Sequence, residues 1–370
     1  MKPLGVCIIG AGRMGTLRAQ SAFAHPFCKV AHIVDSNRES AERLAHKVGC
    51  SWSVDWESAL SQPDIEIVVV STTHRFLAPI TLAAAKLGKH VFCEKPMACS
   101  AREAEEVIHF LGSESEQTLQ PKVIIGFTLR HHHAIARAHQ MLNEGAIGQP
   151  YYIRAHYGHG GRPGYDREWR MSKELGGGGE LLDQGVHLID LSRWFLGDFA
   201  TVAGGIGTYF WTGSSDTDAP VKHSFAAGAD FVEDNAFMLL RTSIGQTALL
   251  HASWTQWKNS FNFEVYGRDG ALLVDGLGGS YGPERLTHVR RRAEGGVPET
   301  SVVPLADPGN VWDREWNALM ATIRPDCASP GEISKPTSAA GGVEVLRIVD
   351  RLYDHARNEE PTYARAAKCR

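Results

Sequence analysis

The chain has 370 residues, a formal net charge of −4 at pH 7, 43% hydrophobic residues and 22% charged ones. That length exceeds a single ordinary core and predicts two domains, and the composition is that of a globular protein rather than a disordered or fibrous one. The slight negative charge gives no electrostatic basis for binding nucleic acid or an anionic membrane, and no apolar run approaches the ~20 residues of a membrane span.

The first predicted element is a strand. Leu4, Val6, Ile8 and Ile9 lead directly into Gly10-Ala11-Gly12-Arg13-Met14-Gly15, so the run reads as strand one and not as a cleaved leader. A helix from Thr16 to Phe23 follows. Strand, glycine turn and helix in that order are the context a dinucleotide fingerprint needs: Gly10 for the tight turn, Gly12 for close approach of a pyrophosphate, Gly15 for helix–strand packing. A second apolar stretch (Val30, Ala31, Ile33, Val34) ends at Asp35. An acidic side chain there accepts hydrogen bonds from the adenosine ribose and repels a 2′-phosphate, so NAD is expected in preference to NADP. Arg38 is the only nearby feature that suits NADP.

Strand and helix then alternate. A polar helix (Arg38 to Val48) precedes a short strand (Ser51 to Val54) and a helix at Glu57 to Leu60. Ile65 to Val70 is a β-branched run of the kind buried on both faces of a parallel sheet. A helix from Pro79 to Leu87 is closed by Gly88, and strand Val91 to Cys93, helix Ala101 to Leu111, a surface loop (Gly112 to Pro121) and strand Val123 to Gly126 complete the pattern. This predicts a doubly wound parallel sheet, a Rossmann domain over residues 1–127. Glu94-Lys95-Pro96 follows its fifth strand, where Lys95 would emerge at the carboxyl-end crevice that binds ligands in such sheets.

From about residue 128 the texture changes. Helices are predicted at Ala134 to Asn143, Val186 to Phe195, Val311 to Ile323 and Ser338 to Arg357. Strands are predicted at Tyr151 to Tyr157, Thr201 to Phe210, Ala236 to Thr242, Thr247 to Thr255, Phe261 to Tyr266, Ala271 to Val274 and Leu286 to Arg291. Strands joined by short turns predict, for residues 128–370, an α+β domain with a mostly antiparallel sheet covered by helices on one side. The open face then needs a partner, and a homodimer or homotetramer through that sheet is expected. The loop from Thr212 to Asp230 exceeds usual connection lengths, as lids and oligomer contacts do.

Gly176-Gly177-Gly178-Gly179-Glu180-Leu181-Leu182-Asp183-Gln184-Gly185-Val186-His187 is the second chemical cluster. Asp183 and His187, four apart, share one face of a helix. The glycines let the backbone come close to a ligand, and the apolar continuation (Leu188, Ile189, Leu191, Phe195) buries the helix, so the ionisable pair calls for a site. The polar, glycine-rich stretch Gly158 to Arg170 offers Tyr165 and Trp169 as aromatic faces for a ligand and Arg162 and Arg170 for hydroxyls or an anion, or it is an ordinary surface loop. Trp257 and Trp316 read as core or interface packing. Arg130-His131-His132-His133 does not read as a metal site, because adjacent helical histidines diverge; no metal is expected. The seven cysteines show no CxxC spacing, which points to a reducing cytoplasm.

GAGRMG, Asp35, the EKP segment and GGGGELLDQGVHLIDL, in this order and nearly full length, resemble the glucose–fructose oxidoreductase/inositol dehydrogenase/rhizopine catabolism (Gfo/Idh/MocA) family. The resemblance implies a Rossmann domain followed by an open-faced α/β substrate domain, with Lys95 catalytic and Asp183 and His187 on the substrate side. It places Ser71-Thr72-Thr73-His74 beside the nicotinamide ribose, makes Glu94 and Lys95 part of the cofactor crevice, and brings Arg130 near the substrate. Substrates in the family are mainly sugars, cyclitols and their derivatives. A secondary alcohol needs a base, for which histidine is suited, and a cation to stabilise the alkoxide. His187 is therefore expected as base, Lys95 as stabiliser and Asp183 as hydroxyl ligand that also orients the imidazole; Lys95 taking the proton with His187 in support stays open. Two other functions stay open as well: oxidation followed by elimination or glycosidic cleavage with no net redox change, and a non-catalytic sugar or NAD sensor. The presence of Lys95, Asp183 and His187 weighs against the sensor.

Overall fold

All six residues of β1 (Leu4–Ile9) are buried, as a strand with helices against both faces requires. It is followed by α1 (Arg13–Ala24), β2 (Cys28–Val34), α2 (Arg38–Val48), β3 (Ser51–Ser53), α3 (Trp56–Leu60), β4 (Ile67–Val70), α4 (His74–Lys86), β5 (His90–Glu94), α5 (Ala101–Ser113) and β6 (Val123–Gly126). These strands pair in parallel in the order β6-β5-β4-β1-β2-β3. The order reverses between β1 and β4, which puts the ligand crevice at their carboxyl ends. This computed structural model describes residues 2–113, 120–211, 232–305, 309–327 and 335–367; the loop expected at Thr212 to Asp230 lies outside them.

One helix differs from its expected span. α4 begins at His74, and Pro79 lies inside it. Proline favours a first helical position, but here Thr73 is the N-cap and the buried face (Leu77, Ala78, Ile80, Ala84) carries the helix through the hydrogen bond Pro79 cannot donate.

The second unit contains α6 (His133–Asn143), β7 (Pro150–Gly158), α7 (Lys173–Gly176), α8 (Val186–Leu196), β8 (Phe199–Gly207), β9 (Asn235–Thr242), β10 (Thr247–Ser253), β11 (Ser260–Gly267), β12 (Gly270–Asp275), β13 (Arg285–Arg290) and β14 (Glu299–Val303). Its sheet runs β14-β13-β12-β11-β7-β10-β9-β8. Among the described pairs all are antiparallel except β7 with β10. Helices α8 and α6 cover one face, α8 against β7 and β10 and α6 against β12 and β13. On the other face the register sets Leu239 beside Leu249 and Phe237 beside His251, with His156 and Arg154 next in line. Phe237, Leu239, Leu249 and Tyr152 are 44%, 45%, 54% and 43% exposed, so this face is open and substantially apolar. A shallow depression of about 330 Å³ on it is lined by Arg154, His156, His251 and Asn262, among others. The edge strand β14 was not legible because its exposed residues carry no apolar alternation.

The chain does not divide simply at residue 127. One compact unit comprises Met1–His131 with Gly309–Glu344, and the other His132–Pro308 with Val345–Arg370. α9 (Val311–Ile323) returns to the first unit, where Trp316, Leu319 and Met320 join Leu4, Ile8 and Phe92 in one core cluster. β15 (Thr337–Ser338) then adds to β6 in antiparallel sense, and the division falls within α10 (Ala339–Ala367). Amphipathic spacing predicts α9 but not which surface it covers.

Candidate active site

The glycine turn of the first unit is built by close approach. Gly10 has φ 102°, and a Cβ on it would lie 2.4 Å from the Ser71 carbonyl oxygen; one on Gly15 would lie 1.7 Å from the Gly10 oxygen. Gly12 is different: a Cβ there would meet nothing within 4 Å. Gly12 and Arg13 are exposed and Met14 is half-buried. Gly12 is also the N-cap of α1, with no side-chain cap and no acidic residue in the first turn. The unsatisfied N–H groups and positive end of that helix therefore face open space, which fits a pyrophosphate.

Asp35 accepts from the Ala11 N–H at 2.7 Å and, through its other oxygen, from the Asn37 N–H at 2.8 Å. It pins the glycine turn, and its remaining lone pairs suit ribose hydroxyls. Arg38 is exposed and lies 5.5 Å from the Trp52 ring. Ser71, expected beside the nicotinamide ribose, ties the β4 end to the same turn by donating to the Gly10 oxygen at 2.9 Å. Thr72 donates to the Thr73 oxygen. The Thr73 hydroxyl is buried without a partner among the described residues, and His74 is buried.

Lys95 is half-buried at the carboxyl end of β5, between buried Glu94 and Pro96, and the Lys95–Pro96 peptide is cis. Glu94 does not line the crevice as expected. It points inward and accepts from Arg18 Nε at 2.7 Å, because a fully buried guanidinium needs a carboxylate more than an exposed strand end does. Burial pushes the Glu94 carboxyl up, against the pull of Arg18. Arg130 sits in a short 3₁₀ turn (Thr128–His131) and is buried, 9% exposed.

In the second unit Asp183 and His187 are each 8% exposed. Residues Leu181–Gly185 wind as a π-helix that runs into α8, so Asp183 belongs to a wider turn than the α-helix expected, a form common at functional sites. Asp183 pairs with Arg170 Nε at 3.3 Å. Arg170 also lies 4.6 Å from the Trp169 ring and 3.6 Å from Glu168, and Arg162 pairs with the same glutamate. Trp169 is half-buried.

The glycine run serves a purpose other than ligand approach. A Cβ on Gly178 would lie 2.1 Å from the Tyr353 hydroxyl, and one on Gly179 would lie 2.0 Å from the Glu233 carbonyl oxygen. Those close approaches form a clamp. Glu233 Oε1 accepts from the Gly179 and Leu181 N–H groups at 3.0 and 3.1 Å and from the Tyr353 hydroxyl at 2.8 Å. Burial pushes the Glu233 carboxyl up to about 7 despite these donors.

Around His187 stand residues the sequence did not single out. The Tyr157 ring lies 6.0 Å from His187, edge-on, and 5.5 Å from Tyr281; burial raises both phenols. Burial lowers His159, partly countered by Asp183. Gln184, with its amide turned to satisfy both ends, donates to the Tyr157 backbone carbonyl and to Glu180 Oε1 and accepts from His159 Nε2 at 3.3 Å. Only adjacency to a motif could have pointed to His159 and Glu180. Tyr165 was expected at the substrate; it is 3% exposed and packs in an aromatic cluster with Trp211, Trp254 and His159, since a ring held on three sides gains more by burial than by exposure. Trp316 is core, one of the two roles read for it, and Trp257, 67% exposed, lies against Phe210. His132 is taken up by Glu284 at 2.6 Å. Among the described residues, no helix is long and apolar enough to cross a membrane.

A family model described as "Oxidoreductase family, NAD-binding Rossmann fold" matches residues 4–121, and one for the GFO/IDH/MocA C-terminal domain matches residues 135–273. Levoglucosan dehydrogenase of Pseudarthrobacter phenanthrenivorans is 29% identical, covering 74% of each chain. NAD(+)-dependent scyllo-inositol 2-dehydrogenase of Bacillus subtilis is 29% identical over 73% of each. 2,7-Anhydro-N-acetylneuraminate hydratase of Mediterraneibacter gnavus is 24% identical over 74% of this chain and 68% of its own. Among solved structures, levoglucosan dehydrogenase with NADH and L-sorbose superposes with a TM-score of 0.79 at 23% identity, covering 96% of this chain and 97% of that one, a likeness of fold. Both parts of the chain being matched, this protein belongs to the GFO/IDH/MocA family of oxidoreductases, and its first unit is a NAD-binding Rossmann fold.

Proposed function

We propose that the protein oxidises a secondary hydroxyl of a sugar, glycoside or cyclitol, with Lys95, Asp183 and His187 as the reacting set. The observation that carries this reading is chemical. A NAD-binding unit presents a half-buried lysine at a strand end, and the substrate unit presents an aspartate and a histidine on one helical segment. The relatives that act on levoglucosan and scyllo-inositol support the substrate class.

NAD, when bound, supplies the hydride acceptor. Gly10, Gly12, Arg13, Met14 and Gly15 would hold its pyrophosphate, Asp35 its adenosine ribose in preference to NADP, and Thr72, Thr73 and His74 its nicotinamide side. His187 takes the hydroxyl proton. The Lys95 ammonium stabilises the oxygen as negative charge develops on it. Asp183, held by Arg170, receives a neighbouring hydroxyl, and Trp169 and Arg130 contact the ring, while buried Tyr165 backs the site without touching substrate. A second copy of the chain covers the open sheet face, giving a homodimer or homotetramer. Cys7, Cys28, Cys50, Cys93 and Cys99 are free, which suits a reducing cytoplasm.

The hydratase relative favours one second reading, transient oxidation followed by elimination. A panel of sugars, glycosides and inositols incubated with NAD separates the two. Dehydrogenation accumulates absorbance in the NADH band in step with substrate loss. Substrate loss with none supports elimination, and no reaction across the panel overturns the proposal.

A further inference from the structure

Arg18 lies in α1, three residues beyond the last fingerprint glycine, and is 0% exposed. Its three nitrogens reach three separate elements. Nε donates to Glu94 at the end of β5 at 2.7 Å, Nη1 to Glu315 of α9 at 2.6 Å, and Nη2 to the Thr128 hydroxyl beyond β6 at 3.2 Å. Thr128 in turn donates to the same Glu315 oxygen at 2.7 Å, closing the network. The rings of Phe92 and Trp312 lie 4.3 and 5.0 Å from the guanidinium carbon. Gly126 makes room for it: a Cβ there would sit 3.2 Å from both Arg18 Nη2 and Glu94 Oε2.

A buried ion cluster of this kind is weak evidence for stability, since well-packed apolar groups often do as well. Its location gives it another use. The carboxylate it grips belongs to the residue immediately before Lys95, and the gripping side chain springs from the helix whose N-terminus receives the cofactor. Two carboxylates share one guanidinium, and the planar fork is what lets a single cation hold both at fixed angles.

We propose that Arg18 is a positioning residue for Lys95: by clamping Glu94 against Glu315 and Thr128, it fixes the strand end from which the lysine reaches the reacting hydroxyl. This rests on the reading of Lys95 given above, and the test separates the two. Arg18→Lys keeps the charge but cannot span both carboxylates. Its kcat falls about ten- to hundredfold, the cost of misplacing a group by a fraction of an ångström to 1 Å. Substrate KM and NAD affinity, measured by NADH fluorescence titration, stay near wild type. Glu94→Gln, which preserves the side chain's shape, shows the same split in smaller degree and serves where Arg18→Lys folds poorly.

The deciding measurement is the double-mutant cycle with Lys95→Ala. Once the lysine is gone, Arg18→Lys or Glu94→Gln produces no further loss of kcat. Losses that multiply show a merely structural role and overturn the inference, as does wild-type kcat in both single variants. Wild-type turnover in Lys95→Ala alone overturns the reading of Lys95 instead.

Discussion

Glu233→Gln probes the clamp beneath the segment that carries Asp183 and His187. Burial holds the Glu233 carboxyl at about 7 in the folded chain against an ordinary value of 4.5. A folded-state value raised above the unfolded one means the native state binds the proton more tightly. Stability is therefore lost as pH rises from 4.5 to about 7 and stays lost above that. The difference corresponds to roughly 3 kcal/mol at full ionisation. Glutamine keeps the oxygen that accepts from Gly179, Leu181 and Tyr353 and carries no charge. The assay is chemical denaturation of both proteins from pH 5 to pH 8.5. Near pH 5 the two should be nearly equal, and above about pH 7 the variant should gain up to roughly 3 kcal/mol over the wild type. A difference that is flat across this range, or one that grows toward acid, refutes the reasoning.

Asp35→Asn removes the charge that opposes a 2′-phosphate while keeping an acceptor for the Ala11 N–H. A pair of unit charges about 4 Å apart costs about 1–4 kcal/mol between bulk water and a protein surface, so the ratio of kcat/KM for NADP to that for NAD should rise about tenfold or more. An unchanged ratio removes Asp35 from cofactor choice. Leu249→Arg places a cation in the middle of the open sheet face, beside Leu239 and Arg154. Light scattering should then report the mass of a single chain where the wild type gives a multiple of it. An unaltered assembly places the interface elsewhere.

Much of the first unit was legible because its signals are local. The Gly10 to Gly15 turn, the buried strand runs and Asp35 announce themselves by residue type and order. What stayed hidden depends on pairing across long sequence separations. Nothing around Arg18 foretells Glu315, 297 positions away, and nothing in the glycine run foretells that Gly178 and Gly179 yield to Tyr353 and Glu233 rather than to a ligand. Glu94 misled for the same reason: its neighbour Lys95 fits the expected crevice, but the inward turn of one side chain is decided by a buried arginine on another element. Asp183 and His187 stood out as a candidate pair because both lie in one motif. Tyr157, His159 and Tyr281, which lie near them, did not, since aromatic and histidine side chains on strands and turns look alike in sequence whether they face a site or a core.

Single-turnover hydride transfer by Lys95→Ala and His187→Ala, each saturated with NAD and an oxidisable sugar or cyclitol, tests the central chemistry most directly. Each variant should transfer hydride about a hundredfold or more slowly than the wild type while binding NAD almost as tightly. Transfer at the wild-type rate in either variant would contradict the assignment of proton and charge to these two side chains.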